Sequence, residues 1–253
     1  MQIAIVCVPF QNDMARWGFA RGPQAYLDAG LIERLRAAGH TVAEPVWIDF
    51  PREERTRDTV TNLGRIAARS SAAVHAALDG GADLVVALEG NCTHAIGAMG
   101  GLARAAGSSP GVAWYDAHGD MNTFATTETG MLGGMPYAVA LGWDLDDWRE
   151  AGGLDAPVRA EAAALLGSSD LDAAEEDALA RHPIAHLRAS DLAEDAAAEH
   201  TTAALAPRAA EAPAWYIHVD LDVAGPEITP GALTPAPTWP SRAALLASAG
   251  AAA

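Results

Sequence analysis

Short apolar runs alternate with longer amphipathic stretches along this chain, the runs having the length of strands and the stretches that of helices. Gln2 to Val8 is almost continuously apolar and predicts a first strand. Gly22-Pro23 then opens a helix, because proline at an early helical position gives up only an N–H that has no partner there. Leu27, Leu31, Ile32 and Leu35 share one face of that helix, and Gly39 closes it. Thr41 to Val46 predicts a strand and Thr59 to Leu78 a long helix. Leu84 to Leu88 predicts a short strand buried on both faces, followed by a helix from Thr93 to Ala106 and a strand from Val112 to Asp116.

The second half continues the alternation. Ala162 to Leu166, Ile184 to Leu187 and Ala214 to Asp220 predict strands, while Asp172 to Arg181 and Asp191 to Leu205 predict helices, each with an aspartate cap. Ser241 caps a last helix, and Ala249 to Ala253 reads as a frayed tail. The pattern implies an α/β fold with a mostly parallel sheet and helices on both faces. Ligands of such sheets bind at the carboxyl ends of the strands.

Two short acidic segments fall at such strand ends. Asp116-Ala-His-Gly-Asp places Asp116, His118 and Asp120 at alternate positions, and Asp220-Leu-Asp does the same for Asp220 and Asp222. Alternate residues of an extended chain face one side, so both sets converge if the chain stays extended. Four carboxylates at one point repel strongly unless cations sit between them. Carboxylates mixed with imidazole suit two divalent ions that activate a water, manganese or a similar borderline ion above all.

Bulk properties narrow the partners. The chain has 253 residues, half of them apolar, and no apolar run long enough to span a bilayer. The N-terminus lacks the basic start and cleavage site of a signal peptide. Cys7 and Cys92 are the only cysteines, so no disulfide framework is implied and a cytoplasmic setting is expected. The net charge is −17 and all 16 basic residues are arginine. Such an acidic chain is expected to bind neither nucleic acid nor membrane, and to attract a cationic small molecule.

In order and spacing, these motifs resemble the arginase–agmatinase–formiminoglutamase superfamily, the ureohydrolases. Arg21-Gly-Pro-Gln-Ala-Tyr-Leu-Asp is similar to the family's first helix, Leu88-Glu-Gly-Asn-Cys-Thr-His stands at its Gly-Gly-Asp-His segment, and Asp116-Ala-His-Gly-Asp-Met-Asn and His218-Val-Asp-Leu-Asp match its two metal motifs. The resemblance implies one arginase-like domain over residues 1–253, with a three-layer α/β/α fold and two manganese ions. A metal-bridging hydroxide would attack the carbon of a guanidino or amidino substrate, a linear C–N hydrolysis. It further implies that Asp116 and Asp220 bridge the ions, that Asp120 binds the first, and that His118 and Asp222 bind the second. Asn122 and Thr129 match substrate-binding positions. A homo-oligomer, trimer or hexamer, is expected.

Four departures qualify this. Cys92 stands at the family's early histidine ligand. It is either a softer ligand, shifting preference toward zinc, iron or cobalt, or a small buried residue. His94, two residues on, is the poorer substitute, since a helix start would turn it away. Gly133 replaces the histidine that transfers a proton and Met131 the asparagine that meets the substrate carboxylate; loss of a general acid typically costs about a hundred- to ten-thousandfold. His218 stands where a small hydroxyl residue is common. It is a replacement acid–base residue, a partner to a metal-bound carboxylate, or a structural histidine. The family's C-terminal strand and helix, with a guanidinium-holding glutamate, have no counterpart before Ala253. A catalytically impaired metal-binding subunit or scaffold is therefore the alternative. A binuclear phosphoesterase would also use Asp-x-His, but its later Gly-Asn-His motif is absent. Gly97, Gly100 and Gly101 fit no phosphate loop and predict close helix packing.

Overall fold

The computed structural model describes every residue except Glu194. Among the described residues the strands are β1 (Gln2–Val8), β2 (Phe10–Gln11), β3 (Met14–Ala15), β4 (Thr41–Val42), β5 (Val46–Trp47), β6 (Leu84–Glu89), β7 (Gly111–Tyr115), β8 (Ala163–Ser168), β9 (Ala185–Arg188) and β10 (Trp215–Val219). The α-helices are α1 (Gly22–Asp28), α2 (Leu31–Ala37), α3 (Thr59–Asp79), α4 (Ala95–Ala106), α5 (Pro136–Ala140), α6 (Asp146–Ala151), α7 (Ala173–Arg181), α8 (Ala197–Leu205) and α9 (Arg242–Ala252). The chain divides into two compact units, one of residues 1–109 and 142–157, the other of residues 110–141 and 158–253.

In the first unit, β1 is the central strand. It pairs in parallel with β4 and then β5 along one edge and with β6 along the other. Alternation along β1 divides the core. Ile3, Ile5 and Cys7 pack with Leu27, Leu31, Ile32 and Leu35 of α1 and α2. Val6 and Val8 pack with Ile66 and Val74 of α3. The predicted single helix after Gly22 is two, because Gly30 takes a left-handed conformation at φ 80° between them. The predicted strand Thr41–Val46 is likewise broken, with Pro45, which has no N–H for a ladder, lying between β4 and β5.

β6 corrects a second expectation. Leu84 is 43% exposed and only Leu88 is fully buried, because among the described residues β6 pairs with β1 alone. An edge strand leaves its side chains less covered than a central one, and an apolar run does not specify which strands lie beside it. The glycines of α4 do serve helix packing: a Cβ on Gly97 would overlap Ser70, and one on Gly101 would crowd Val74, both on α3.

In the second unit the parallel order is β10-β7-β8-β9. β7 and β8 are buried along their whole length. Ala113, Tyr115, Ala164 and Leu166 form one face with Leu205 of α8 and Leu245 and Ala252 of α9. On the other face Trp114 stacks on Tyr137 of α5, with ring centroids 4.8 Å apart. The Tyr137 hydroxyl donates to the Ala164 carbonyl at 3.2 Å. Asp172 caps α7 as predicted, with Glu175 completing a reciprocal capping box. The helix predicted from Asp191 is instead a 3₁₀ turn ending at Asp191 and α8 from Ala197; Glu194 within that range lies outside the described residues. The predicted frayed tail is the last turn of α9, whose N-cap is Ser241.

Candidate metal centre

β7 ends at Tyr115 and β10 at Val219, side by side in register, so the two acidic motifs begin next to each other at the carboxyl edge of one sheet. Asp116 N donates to the Leu166 carbonyl at 3.2 Å and Asp220 N to the Tyr115 carbonyl at 2.8 Å, which holds both first aspartates to the sheet. Beyond them the chain does not stay extended. The Asp116 carboxylate accepts from His118 N at 2.8 Å, and the Asp220 carboxylate accepts from Asp222 N at 2.8 Å. Each motif thus folds around its own first aspartate in a tight turn. The residues converge through turns, not through the strand alternation expected above.

Two groups of donor atoms result. Asp116, His118 and Asp222 each offer one ligand atom, all within 4.8 Å of one another; Asp116, His218 and Asp220 do the same. Asp116 belongs to both groups. His118 Nδ1 lies 3.1 Å from Asp222 Oδ2 and 3.4 Å from Asp116 Oδ1. Asp120 is in neither group. Its φ is 51°, its carbonyl accepts from Tyr137 N at 2.9 Å and Ala138 N at 3.1 Å at the start of α5, and its Oδ2 is buried with no hydrogen-bond partner. Cys92 opens the 3₁₀ turn after β6 in the first unit, half-buried and outside any disulfide. His94 is fully buried and bound through Nε2 to the Phe10 carbonyl at 2.9 Å, and burial pushes its pKa down to about 4.

The electrostatics of the cluster follow from burial and crowding. Burial, reinforced by the charges of Asp220 and Asp222, holds Asp116 well above the usual carboxylate range. Burial raises Asp120 in the same way, with Asp116, Asp220 and Glu175 adding repulsion. Hydrogen bonds to Asp116 and then Asp222 raise His118 to about 11 against the opposing effect of burial. Burial acts to raise Asp222 too, but the hydrogen bond and charge of His118 keep it below its ordinary value. Such a set retains protons that a divalent cation would displace. Hard oxygens with imidazole, plus a buried orphan carboxylate oxygen at Asp120, fit a divalent metal ion.

The neighbouring loop is pinned at both ends: it leaves from Asp120 and returns where Tyr137 N meets the Asp120 carbonyl. Asn122, a predicted substrate contact, spends its amide inside the protein. Its Nδ2 donates to Asp172 Oδ2 at 2.7 Å, and its Oδ1 accepts from the Thr126 hydroxyl at 2.8 Å. Thr129 is exposed, and its hydroxyl accepts from Met131 N at 3.2 Å. Met131 is 60% exposed and Phe124 54%.

Sequence reasoning missed four contributors. Glu175 accepts from Met121 N at 3.2 Å, and a Cβ on Gly119 would strike its carboxyl, so it backs the Asp116–Asp120 turn from below. Asp170 Oδ2 lies 3.8 Å from His118 Nε2. Trp114 Nε1 donates to Asp116 Oδ2 at 3.1 Å. The Tyr216 hydroxyl lies 3.2 Å from His218 Nδ1. The carboxylate-rich run Asp170 to Glu175 directly after a strand end is the one available signal, and by itself it predicts only a helix cap.

The chain is 33% identical to an arginase from Bacillus caldovelox over 181 residues, 69% of this chain and 60% of that protein. It is 31% identical to an N(omega)-hydroxy-L-arginine amidinohydrolase from Streptomyces lavendulae over 233 residues, 88% of this chain and 73% of that one. The match to the Bacillus caldovelox arginase thus spans less than two thirds of that protein's length. The crystal structure of arginase from Bacillus cereus superposes with a TM-score of 0.84 at 28% identity, covering 98% of this chain and 84% of that chain, which establishes the three-layer α/β/α fold. The family model described as Arginase family matches residues 1–248, and this chain belongs to that family.

Proposed function

We propose that the chain is a metal-dependent hydrolase of linear C–N bonds in guanidino or amidino compounds. The observation that carries this is the sharing of Asp116 between two donor groups at one sheet edge. Two divalent cations held there would supply Lewis-acid charge and a water of lowered pKa. Asp116 and Asp220 are the carboxylates proposed to be shared, with Asp120 on the first ion and His118 and Asp222 on the second. Cys92 is kept as a candidate ligand on its place in the motif. Manganese is the preferred ion for this donor set.

The proposed substrate is a guanidino compound without an α-carboxylate. Asn122 has both ends of its amide engaged by Asp172 and Thr126, and Met131 offers a thioether, a weak acceptor with no donor. Gly133 has no proton to give, so protonation of the leaving group falls to another residue or to water. Family resemblance adds a homo-oligomer in the cytoplasm to the proposal; no helix among the described residues is long and apolar enough to cross a membrane.

The test is a screen for urea and ammonia release by the manganese-loaded protein over L-arginine, agmatine and simple alkylguanidines. Turnover of alkylguanidines above L-arginine is expected. Bound metal with no turnover of any member would make the chain a metal-binding protein and end the hydrolase reading.

A further inference from the structure

His218 is placed among the carboxylates in a way that neither an acid–base role nor a structural role explains. It is 6% exposed, and its Nε2 is buried with no hydrogen-bond partner. One of its ring nitrogens lies within 4.8 Å of donor atoms on both Asp116 and Asp220. A structural histidine in a core satisfies both nitrogens, because an orphaned buried ring nitrogen is costly. A proton-transfer group needs a path to substrate or water, and a nearly inaccessible ring offers none.

We propose that His218 is a metal ligand, its Nε2 binding the same cation as Asp116 and Asp220. The inference rests on the metal site proposed above and adds to it a nitrogen ligand carried by β10. Three features hold the imidazole for this. His218 stands directly opposite Trp114 in the β10–β7 register. The two rings stack at 3.7 Å with their planes 20° apart, and Trp114 is itself backed by Tyr137, so the ring plane is fixed. Tyr216 takes Nδ1 at 3.2 Å. In the ligand form Nδ1–H donates to the tyrosine oxygen and the Nε2 lone pair is left for the ion, which is how metal-bound histidines are usually oriented. Trp114 also donates to Asp116 at 3.1 Å, so one indole aligns two ligands of the same ion. A neutral imidazole beside two carboxylates adds ligand strength without adding negative charge to a crowded site.

The experiment is NMR of the full chain with imidazole nitrogens isotopically labelled and the magnetic cadmium isotope as the probe ion. His218 is assigned in the wild type by its ring contacts with Trp114. A one-bond coupling between cadmium and His218 Nε2 is expected, and His218→Gln should abolish it and weaken uptake of one ion by about tenfold or more. Cadmium bound by the carboxylates with no coupling to His218 overturns the inference and leaves the hydrolase reading standing. No cadmium uptake overturns both. Coupling present in a protein that hydrolyses nothing keeps the ligand and removes the hydrolase. The wild-type spectrum decides even if the variant fails to fold.

Discussion

Glu89 ends β6 opposite Val8, and its Oε1 is shielded from solvent with no hydrogen-bond partner. Burial alone pushes its carboxyl from an ordinary 4.5 up to about 8. Glu89→Gln keeps the shape and removes the ionisation. The sign follows from proton linkage: between about pH 4.5 and 8 the folded chain holds this proton and the unfolded chain releases it, so raising the pH favours unfolding. The stability contributed by the protonated form is full below about pH 4.5 and is lost as pH rises through about 8. At ~1.4 kcal/mol per tenfold change in proton affinity, the total is at most about 5 kcal/mol, relaxation of the site reducing it. Chemical denaturation of wild type and Glu89→Gln from pH 4.5 to 9 should give curves that meet at the acid end and diverge upward, the variant the more stable by several kcal/mol at pH 9. Other titrating groups cancel in the difference. Parallel curves would refute the reasoning and mean that the carboxyl reaches water or a partner.

Gly100→Ala should destabilise by about 1–3 kcal/mol in denaturant titration, because the new methyl overlaps the Gly152 carbonyl, a backbone atom that cannot swing aside. Asp172→Ala removes the acceptor for Ala174 N and Glu175 N at 2.9 and 3.0 Å, and should cost about 1–2 kcal/mol while leaving metal stoichiometry unchanged. Manganese affinity measured by calorimetry should fall as pH is lowered, since Asp116 and Asp120, both raised, and His118, raised to about 11, bind protons that compete with the ion. A pH-independent affinity would mean that these side chains do not bind it.

The layers were legible because strand and helix signals here are local. The apolar run Gln2 to Val8 gives β1 to the residue, and Asp172 is legible as the cap of α7, though Glu175's part in the capping box is not. What escaped depends on partners elsewhere in the chain. The edge position of β6 is set by which strands exist beside it, and the break at Gly30 by the backbone's need to turn α2 onto β1. At the site the convergence of Asp116, His118, Asp220 and Asp222 was legible because they sit in two short spacings, whereas Asp120 joins neither donor group. The turn geometry was not, since Asp116 and Asp220 fold their own motifs by accepting backbone N–H bonds that no alternation pattern encodes. Trp114 carries no site signal of its own in the sequence; only the β10–β7 register puts it against His218.

The central claim is that this acidic sheet edge holds divalent cations through Asp116. The most direct measurement is the manganese content of the purified wild type beside Asp116→Asn, both checked for fold by circular dichroism. The shared position of Asp116 predicts two ions per wild-type chain and loss of both in the variant. A folded wild type that takes up no manganese, or a variant that retains the full complement, would contradict the account.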